Sequence, residues 1–193
     1  MLDVLQWVTP DKTDLSLAEL SNLTSINKTT LLRILHSLAK RNIISTNDSL
    51  KTYYLGIGIL SLYNAVSWTS RMEEICLHNM RALRDKTGET VSLYRMEGYK
   101  KYCVICVDSL YALRRVIKAG ESYPLYVNAT GRSLMAQMED EELSQYLKEE
   151  KLVKLTEKTV IQKTKLLEII KETRAKGYCI SREETHEGVC AIA

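Results

Sequence analysis

The pattern of apolar residues between positions 28 and 40 constrains the fold of this chain more than any other feature. Leucine and isoleucine recur there at intervals of three and four residues, at Leu31, Ile34, Leu35 and Leu38. This spacing predicts a helix with one apolar face, which begins after the N-cap residue Asn27. The opposite face and its flanks carry Lys28, Thr29, Thr30, Leu32, Arg33, His36 and Lys40.

Such a helix fits two interpretations. An ordinary amphipathic helix on a protein surface has the same pattern. A helix with an apolar back and a front of threonine, arginine and lysine also suits the major groove of DNA. There arginine can bond to guanine, and threonine or leucine can contact a thymine methyl group.

The flanking residues favour DNA binding. A shorter predicted helix follows the N-cap residue Ser16, with the turn at 22–26, and two β-prone segments, 43–46 and 52–55, come after the main helix. Basic residues outnumber acidic ones by five to one between positions 28 and 51, which would favour phosphate binding. A winged helix-turn-helix is therefore predicted to bind double-stranded operator DNA through Ser16, Asn27, Lys28, Thr29, Thr30, Leu32, Arg33, His36 and Lys51.

Short motifs extend along nearly the whole chain. In the first third they are Leu15–Leu17, Glu19–Leu20, Lys28–Thr30, Arg33–Leu35, Leu38 and Tyr54–Gly56. Further along they are Gly88–Val91, Gly120–Glu121, Pro124–Leu125, Gly131–Ala136, Gly177–Tyr178, Glu183–Glu184 and Glu187–Ala193. In this order they resemble the IclR family of bacterial transcription regulators. Asn27 departs from the family pattern, in which many members have proline.

The resemblance implies an α+β fold. A winged helix-turn-helix at 1–56 and a linker helix at 57–69 would precede a GAF/profilin-like effector-binding domain at 70–193. The family's effector domain is longer, so this one is expected to be C-terminally incomplete. The implied function is a ligand-responsive transcription regulator, by default a repressor, that binds DNA as a homodimer or a tetramer. The expected dimer surface comprises Leu2, Leu5, Trp7, Ile59, Leu60 and Tyr63.

The order of predicted elements shows no βαβ rhythm, which also favours an α+β fold. The predicted helices are 1–8, closed by Thr9-Pro10, and 71–86, 130–137, 140–148 and 163–176. The predicted strands are 90–96, 101–108 and 112–118, with a further strand that begins at 178.

Charge and hydropathy exclude several classes of protein. A net charge of +3 over 193 residues does not by itself indicate a polyanion partner. The sequence has neither a run of 18 apolar residues nor a signal pattern, so we expect a cytoplasmic protein without a membrane partner. His36, His78 and His186 lie far apart, without a catalytic or P-loop motif, so we expect no enzyme and no cofactor.

Cys103 and Cys106 have the spacing of a redox or metal motif, which opens an alternative function. A redox- or metal-responsive regulator would use these residues, or Cys179 and Cys190. The surrounding segment is β-prone, however, and residues three apart in a strand point to opposite faces. We therefore expect reduced, structural cysteines and no metal site.

Two local features predict a pocket for a small carboxylate. In the expected strand 112–118, Leu113, Arg115 and Ile117 share a face, so Arg115 would lie among apolar residues and would need an anion. Arginine binds carboxylates through two hydrogen bonds, although Arg115 could instead reach the surface or pair with a glutamate. Asn128, Ala129, Thr130 and Gly131 precede a predicted helix, and their N–H groups could hold a carboxylate or only cap the helix.

The resemblance places the family's effector pocket over the same segments. By motif position its lining comprises Ala112, Arg115, Tyr123, Ala129, Thr130, Ser181 and Ala191. Ser181 stands where some members have aspartate, and Ala191 stands where some have cysteine, with Cys190 one position earlier. Arg115 replaces an apolar residue. These departures imply a more anionic ligand than the small 2-oxo acids best known in the family.

Overall fold

A computed structural model describes residues 2–8, 14–65 and 67–193 of the chain. The chain divides into two units, Met1–Arg71 and Met72–Ala193, and each has its own hydrophobic core. The predicted end of the first helix at Thr9-Pro10 lies outside the described residues, and so does the side chain of Leu2.

The first unit folds as a winged helix-turn-helix. Its elements are α1 (Leu2–Trp7), β1 (Leu15–Ser16), α2 (Leu17–Thr24), α3 (Lys28–Ala39), β2 (Ile44–Asn47), β3 (Thr52–Leu55) and α4 (Ile59–Ala65). The strands form an antiparallel sheet in the order β1-β3-β2, in which Ile44 lies opposite Leu55. The predicted arrangement of two helices and a wing is confirmed.

The apolar face of α3 forms the centre of the first unit. Leu31 and Leu35 are almost completely buried and pack with Leu20 of α2 and Ile44 of β2. Val4 and Val8 of the first helical segment complete the same core. The spacing of three and four residues therefore identified the buried side of the helix correctly.

The second unit combines helices with two small antiparallel sheets. Its elements are α5 (Ser67–Thr87, which begins in the first unit), β4 (Val91–Glu97), β5 (Lys100–Val107), β6 (Ser122–Pro124), α6 (Asn128–Met135), α7 (Asp140–Glu149), α8 (Lys163–Lys176), β7 (Ile180–Arg182) and β8 (Cys190–Ile192). Strands β4, β5 and β6 form one sheet in that order, and β7 pairs with β8.

The core of the second unit lies mainly between α6, α7 and α8. Leu125 and Val127, just before α6, pack there with Tyr146 of α7 and Ile170 of α8. Arg174 of α8 ties the end of α6 to the start of α7. Its guanidinium donates to the carbonyl oxygens of Ala136 and Met138, at 2.9 and 2.6 Å, and to the carboxylate of Asp140 at 2.6 Å.

The predicted strand 112–118 is wrong. None of residues 108–121, all of which the structure describes, belongs to a strand. Strand β5 is paired instead with the residues that follow, because Cys103 accepts from Gly120 N–H and donates to Glu121. Leu113, expected on a core face, is 95% exposed. The β-prone residues of this segment do not join the pairing of β5, which stops at residues 120–124, and β propensity alone does not form a sheet.

Candidate functional site

Helix α3 presents the polar face that the sequence predicted. Asn27 caps its start, since its Oδ1 accepts from Thr30 N–H at 2.9 Å. Thr29, Arg33 and His36 are exposed on the side opposite the core, and the sequence of α3 contains no acidic residue. Leu32 beside them is 49% exposed. The face can offer donors and methyl contacts to base edges.

Ser16 and Asn27 are both occupied in capping helices. The Ser16 hydroxyl accepts from Glu19 N–H at 3.3 Å, and the Glu19 carboxylate accepts from Ser16 N–H at 2.8 Å, which forms a capping box. The Ser16 hydroxyl also donates to that carboxylate at 2.7 Å. These hydrogen bonds from Ser16 lower the pKa of Glu19. The two residues thus fix where α2 and α3 begin, which orients the α3 face.

The wing carries a cation at its tip. Between β2 and β3, Asn47 Oδ1 accepts from the Ser49 hydroxyl and from Leu50 N–H, at 2.7 and 3.2 Å. Lys51 follows in the left-handed region with φ of 52° and is exposed. A lysine at such a tip can reach a DNA phosphate without reading a base.

Arg115 pairs with a glutamate, which is one of the alternatives that the sequence left open to a position among apolar residues. Its guanidinium lies 4.0 Å from the Glu121 carboxylate and donates to the Tyr123 hydroxyl at 2.9 Å. Tyr123 in turn donates to Glu121 at 3.1 Å. The Arg115 side chain is 30% exposed, and Ala112 is also exposed on the same loop. The failure of the predicted strand explains the difference, because no alternation forces Arg115 inward.

The segment Asn128–Gly131 is the first turn of α6 rather than a turn before it, and the prediction that the helix starts at 130 is wrong by two residues. Asn128 has a positive φ of 61°, and its Oδ1 accepts from Thr130 N–H at 3.1 Å. Ala129 is buried, whereas Asn128 and Thr130 are half-buried. A Cβ at Gly131 would collide with the carbonyl oxygen of Leu125, so only glycine allows this close approach.

Helix α6 packs against the hairpin formed by β7 and β8. Ser181 is buried in β7 and lies directly opposite Ala191 of β8. The structure therefore brings the predicted residues of α6 and of the hairpin into one region of the second unit. Tyr123 and Arg115 belong to the neighbouring sheet and loop.

Two models of the same family match this chain. A model of the IclR helix-turn-helix domain matches residues 1–48, and one of the bacterial transcriptional regulator IclR C-terminal domain matches residues 69–193. The chain belongs to the IclR family. Its members are bacterial transcriptional regulators rather than enzymes, and a helix-turn-helix domain implies DNA binding.

Relatives cover most of this IclR-family chain. It is 28% identical over 181 residues to KipR of Bacillus subtilis, which is 94% of this chain and 72% of KipR. It is 30% identical over 179 residues to Rv1719 of Mycobacterium tuberculosis, 92% of this chain and 68% of that protein. An IclR homolog from Microbacterium hydrocarbonoxydans, solved with 4-hydroxybenzoate, has a TM-score of 0.88 at 18% identity over 100% of this chain and 79% of that one. This likeness shows the fold.

The burial and the pKa values of Cys103 and Cys106 are typical of structural rather than reactive cysteines. All five are free thiols, and Cys103 is buried whereas Cys106 is half-buried. Burial raises the pKa of the Cys103 thiol to about 12 and that of Cys106 to about 11. The thiolate is the reactive form, so these values argue against redox sensing at this pair. Within the described ranges, no three His, Cys, Asp or Glu side chains group closely enough to hold a metal ion.

Sequence reasoning missed three buried charged residues in the second unit: Lys101, Arg132 and Glu184 are 0%, 1% and 6% exposed. The alternation of β5 contained a signal for one of them. Lys101 is in phase with Cys103, Ile105 and Val107, which all point inward.

Across the described part of the chain, no helix is both long enough and apolar enough to cross a bilayer.

Proposed function

We propose that this IclR-family chain is a cytoplasmic, homo-oligomeric repressor that binds operator DNA through α3 and the wing and responds to a small organic acid. The observation that carries the DNA-binding part is the exposed face of α3, which is basic, free of acidic residues and held by a buried leucine core. A bound repressor would exclude RNA polymerase from an overlapping promoter.

In this proposal, Arg33 and the threonines of α3 read base edges, and Lys28, His36 and Lys51 contact the flanking backbone. Arginine is the commonest specific partner of guanine in the major groove. Ser16 and Asn27 contribute by placing helix starts, whose backbone N–H groups face phosphates in many such complexes.

One recognition helix reads only a few base pairs, so we propose a dimer, or a dimer of dimers, on two half-sites. The apolar side chains of the linker support this assembly: Ile57, Leu60 and Leu62 are 75%, 54% and 52% exposed. Light scattering should show a dimer or larger assembly. Leu60→Asp should dissociate it, whereas Leu155→Asp, at a similarly exposed leucine of the second unit, should not.

We propose that the effector pocket lies where α6 meets the β7–β8 hairpin. The bound 4-hydroxybenzoate of the Microbacterium hydrocarbonoxydans homolog supports a carboxylate as the ligand class. Residues Ala129, Thr130, Gly131, Ser181 and Ala191 would line the pocket, with Ala112, Arg115 and Tyr123 at its sheet side. The pairing of Arg115 with Glu121 removes its expected role as the main anion partner.

Selection of duplexes from a random-sequence library tests the function as a whole. The protein should enrich a sequence with two related half-sites, and fluorescence anisotropy should then show a strong loss of affinity as salt increases. The selected duplex is then placed in a promoter that drives a reporter gene. Cells that also express the protein should show lower reporter activity than cells that do not. Failure to enrich any sequence would contradict the DNA-binding role, and higher reporter activity would contradict repression.

A further inference from the structure

Three charged residues are buried together beside the start of α6. Lys101 donates from Nζ to the carbonyl oxygen of Val127 and to Oδ1 of Asn128, both at 2.5 Å. Arg132 forms an ion pair with Glu184. We refer to Lys101, Asn128, Arg132 and Glu184 as the buried cluster. It contains two cations and one carboxylate.

The buried cluster has an excess of positive charge. An uncompensated charge that is removed from water costs several kcal/mol, so Lys101 either loses its proton or gains an anionic partner. The start of α6 adds to the excess, because the N-terminal end of a helix carries a partial positive charge. Burial, and after it the charge of Arg132, lower the pKa of Lys101 to about 7, while Glu184 acts in the opposite direction.

The buried cluster also contains an unused donor. Nε of Arg132 is buried, and none of the described residues accepts a hydrogen bond from it. Arg132 lies one turn after Asn128 on α6, and helical side chains lean toward the N-terminus. The unpaired donor therefore belongs to the same end of α6 as Lys101. The Lys101 ammonium has three donors, of which the two named bonds use two.

We propose that the buried cluster is the anion-binding part of the effector pocket and that Lys101 is the residue that selects a carboxylate. This inference rests on the proposed function of the second unit as an effector domain. A carboxylate oxygen accepts from Lys101 and offsets the excess charge. The half-buried rings of Tyr94 and Tyr123 lie beside the ammonium, with their centroids 5.8 and 6.0 Å from Nζ.

The test is a thermal-shift and calorimetric comparison of four carboxylates with their neutral amides. Acetate, pyruvate, benzoate and 4-hydroxybenzoate are each paired with the corresponding amide on the full chain. At least one carboxylate should raise the melting temperature of wild type, and its amide should not. Lys101→Met should weaken binding of that carboxylate at least tenfold, and Lys101→Arg should restore part of it because it restores a cation.

Lys100→Met is the matched control, since Lys100 is the adjacent lysine on the exposed side of β5. It should bind the carboxylate as wild type does. Equal binding to wild type and Lys101→Met, equal binding of acid and amide, or no binding of any carboxylate to wild type would overturn the inference. Binding of the selected DNA duplex, measured on the same samples, tests the regulator function separately. If wild type does not bind the selected duplex, the regulator function is refuted and the carboxylate result stands by itself.

A pH series provides a second readout that holds even if Lys101→Met folds poorly. The groups that face Lys101 are Tyr94 of β4, Cys103 of β5, Tyr123 of β6, Arg132 of α6 and Glu184 after β7. Since the carboxylate binds the ammonium form, its affinity for wild type should fall above about pH 7, by up to about tenfold per pH unit. An affinity that is constant from pH 6 to pH 9 would contradict the role of Lys101.

Discussion

The two units use charge in opposite ways. In the first unit the basic residues lie on the outside of one continuous helix and a wing. We expect them to bind a partner molecule rather than other residues of the chain. In the second unit Lys101, Arg132 and Glu184 are buried, come from three separate segments, and are partners of one another, of the backbone or of Asn128. Substitutions of these exposed basic residues in the first unit should therefore change binding and not stability, whereas substitutions of the buried charges in the second unit should also change stability.

The largest expected effect comes from a comparison of a buried and an exposed ion pair, both of which lie in the second unit. Arg132→Met leaves Glu184 buried without its cation, which should lower the free energy of unfolding by about 3–5 kcal/mol. Lys158→Met removes the partner of Glu183, but Lys158 is largely exposed, so the melting temperature should stay within error of wild type. Calorimetry measures both. Equal losses would show that burial does not separate the two kinds of charge.

A backbone counterpart of that test uses two glycines. Gly131→Ala places a methyl group against the Leu125 carbonyl oxygen inside the core and should cost about 1–3 kcal/mol through overpacking. Gly98→Ala meets no neighbouring atom within 4 Å and has only an unfavourable φ of 55°. It should cost about 1 kcal/mol. Denaturant unfolding measures the difference, and a larger loss at Gly98 would contradict the tight contact at Gly131.

In the first unit, Arg33→Ala should leave the melting temperature unchanged and weaken binding of the selected duplex. We expect a loss of about 1–3 kcal/mol and relaxed preference at one base pair of each half-site. Arg41→Ala, at an exposed arginine just beyond α3, is the control and should retain the preference. An unchanged ratio of specific to random-DNA affinity in Arg33→Ala would mean that α3 presents a different face to DNA.

The smallest expected effect is at the wing. Lys51→Ala should weaken binding to all sequences alike and reduce the slope of log affinity against log salt by about one unit, because one phosphate contact is lost. Anisotropy titrations at four salt concentrations measure that slope. A sequence-dependent loss would show that the wing reads bases.

The contrast also explains what the sequence could predict. Helix α3 was predictable because Asn27, the leucines and the basic residues follow one helical period within thirteen positions. The failure at 112–118 has the reverse cause, since a strand exists only if a neighbour pairs with it and β5 pairs with residues 120–124. Lys101, Arg132 and Glu184 are up to 83 positions apart, so no local pattern brings them together. The helices α7 and α8, with local signals of their own, were predicted to within one residue.

The guanidinium of Arg174 holds the C-terminal end of α6 in place. Because it holds the carbonyl oxygens of Ala136 and Met138 together, α6 cannot slide along its axis without breaking both bonds. The far end of α6 is therefore fixed to the start of α7, whereas its near end contacts Lys101 through Asn128 and Glu184 through Arg132. A change in the contacts of the buried cluster would thus act on a helix whose other end is held to the backbone of the next segment.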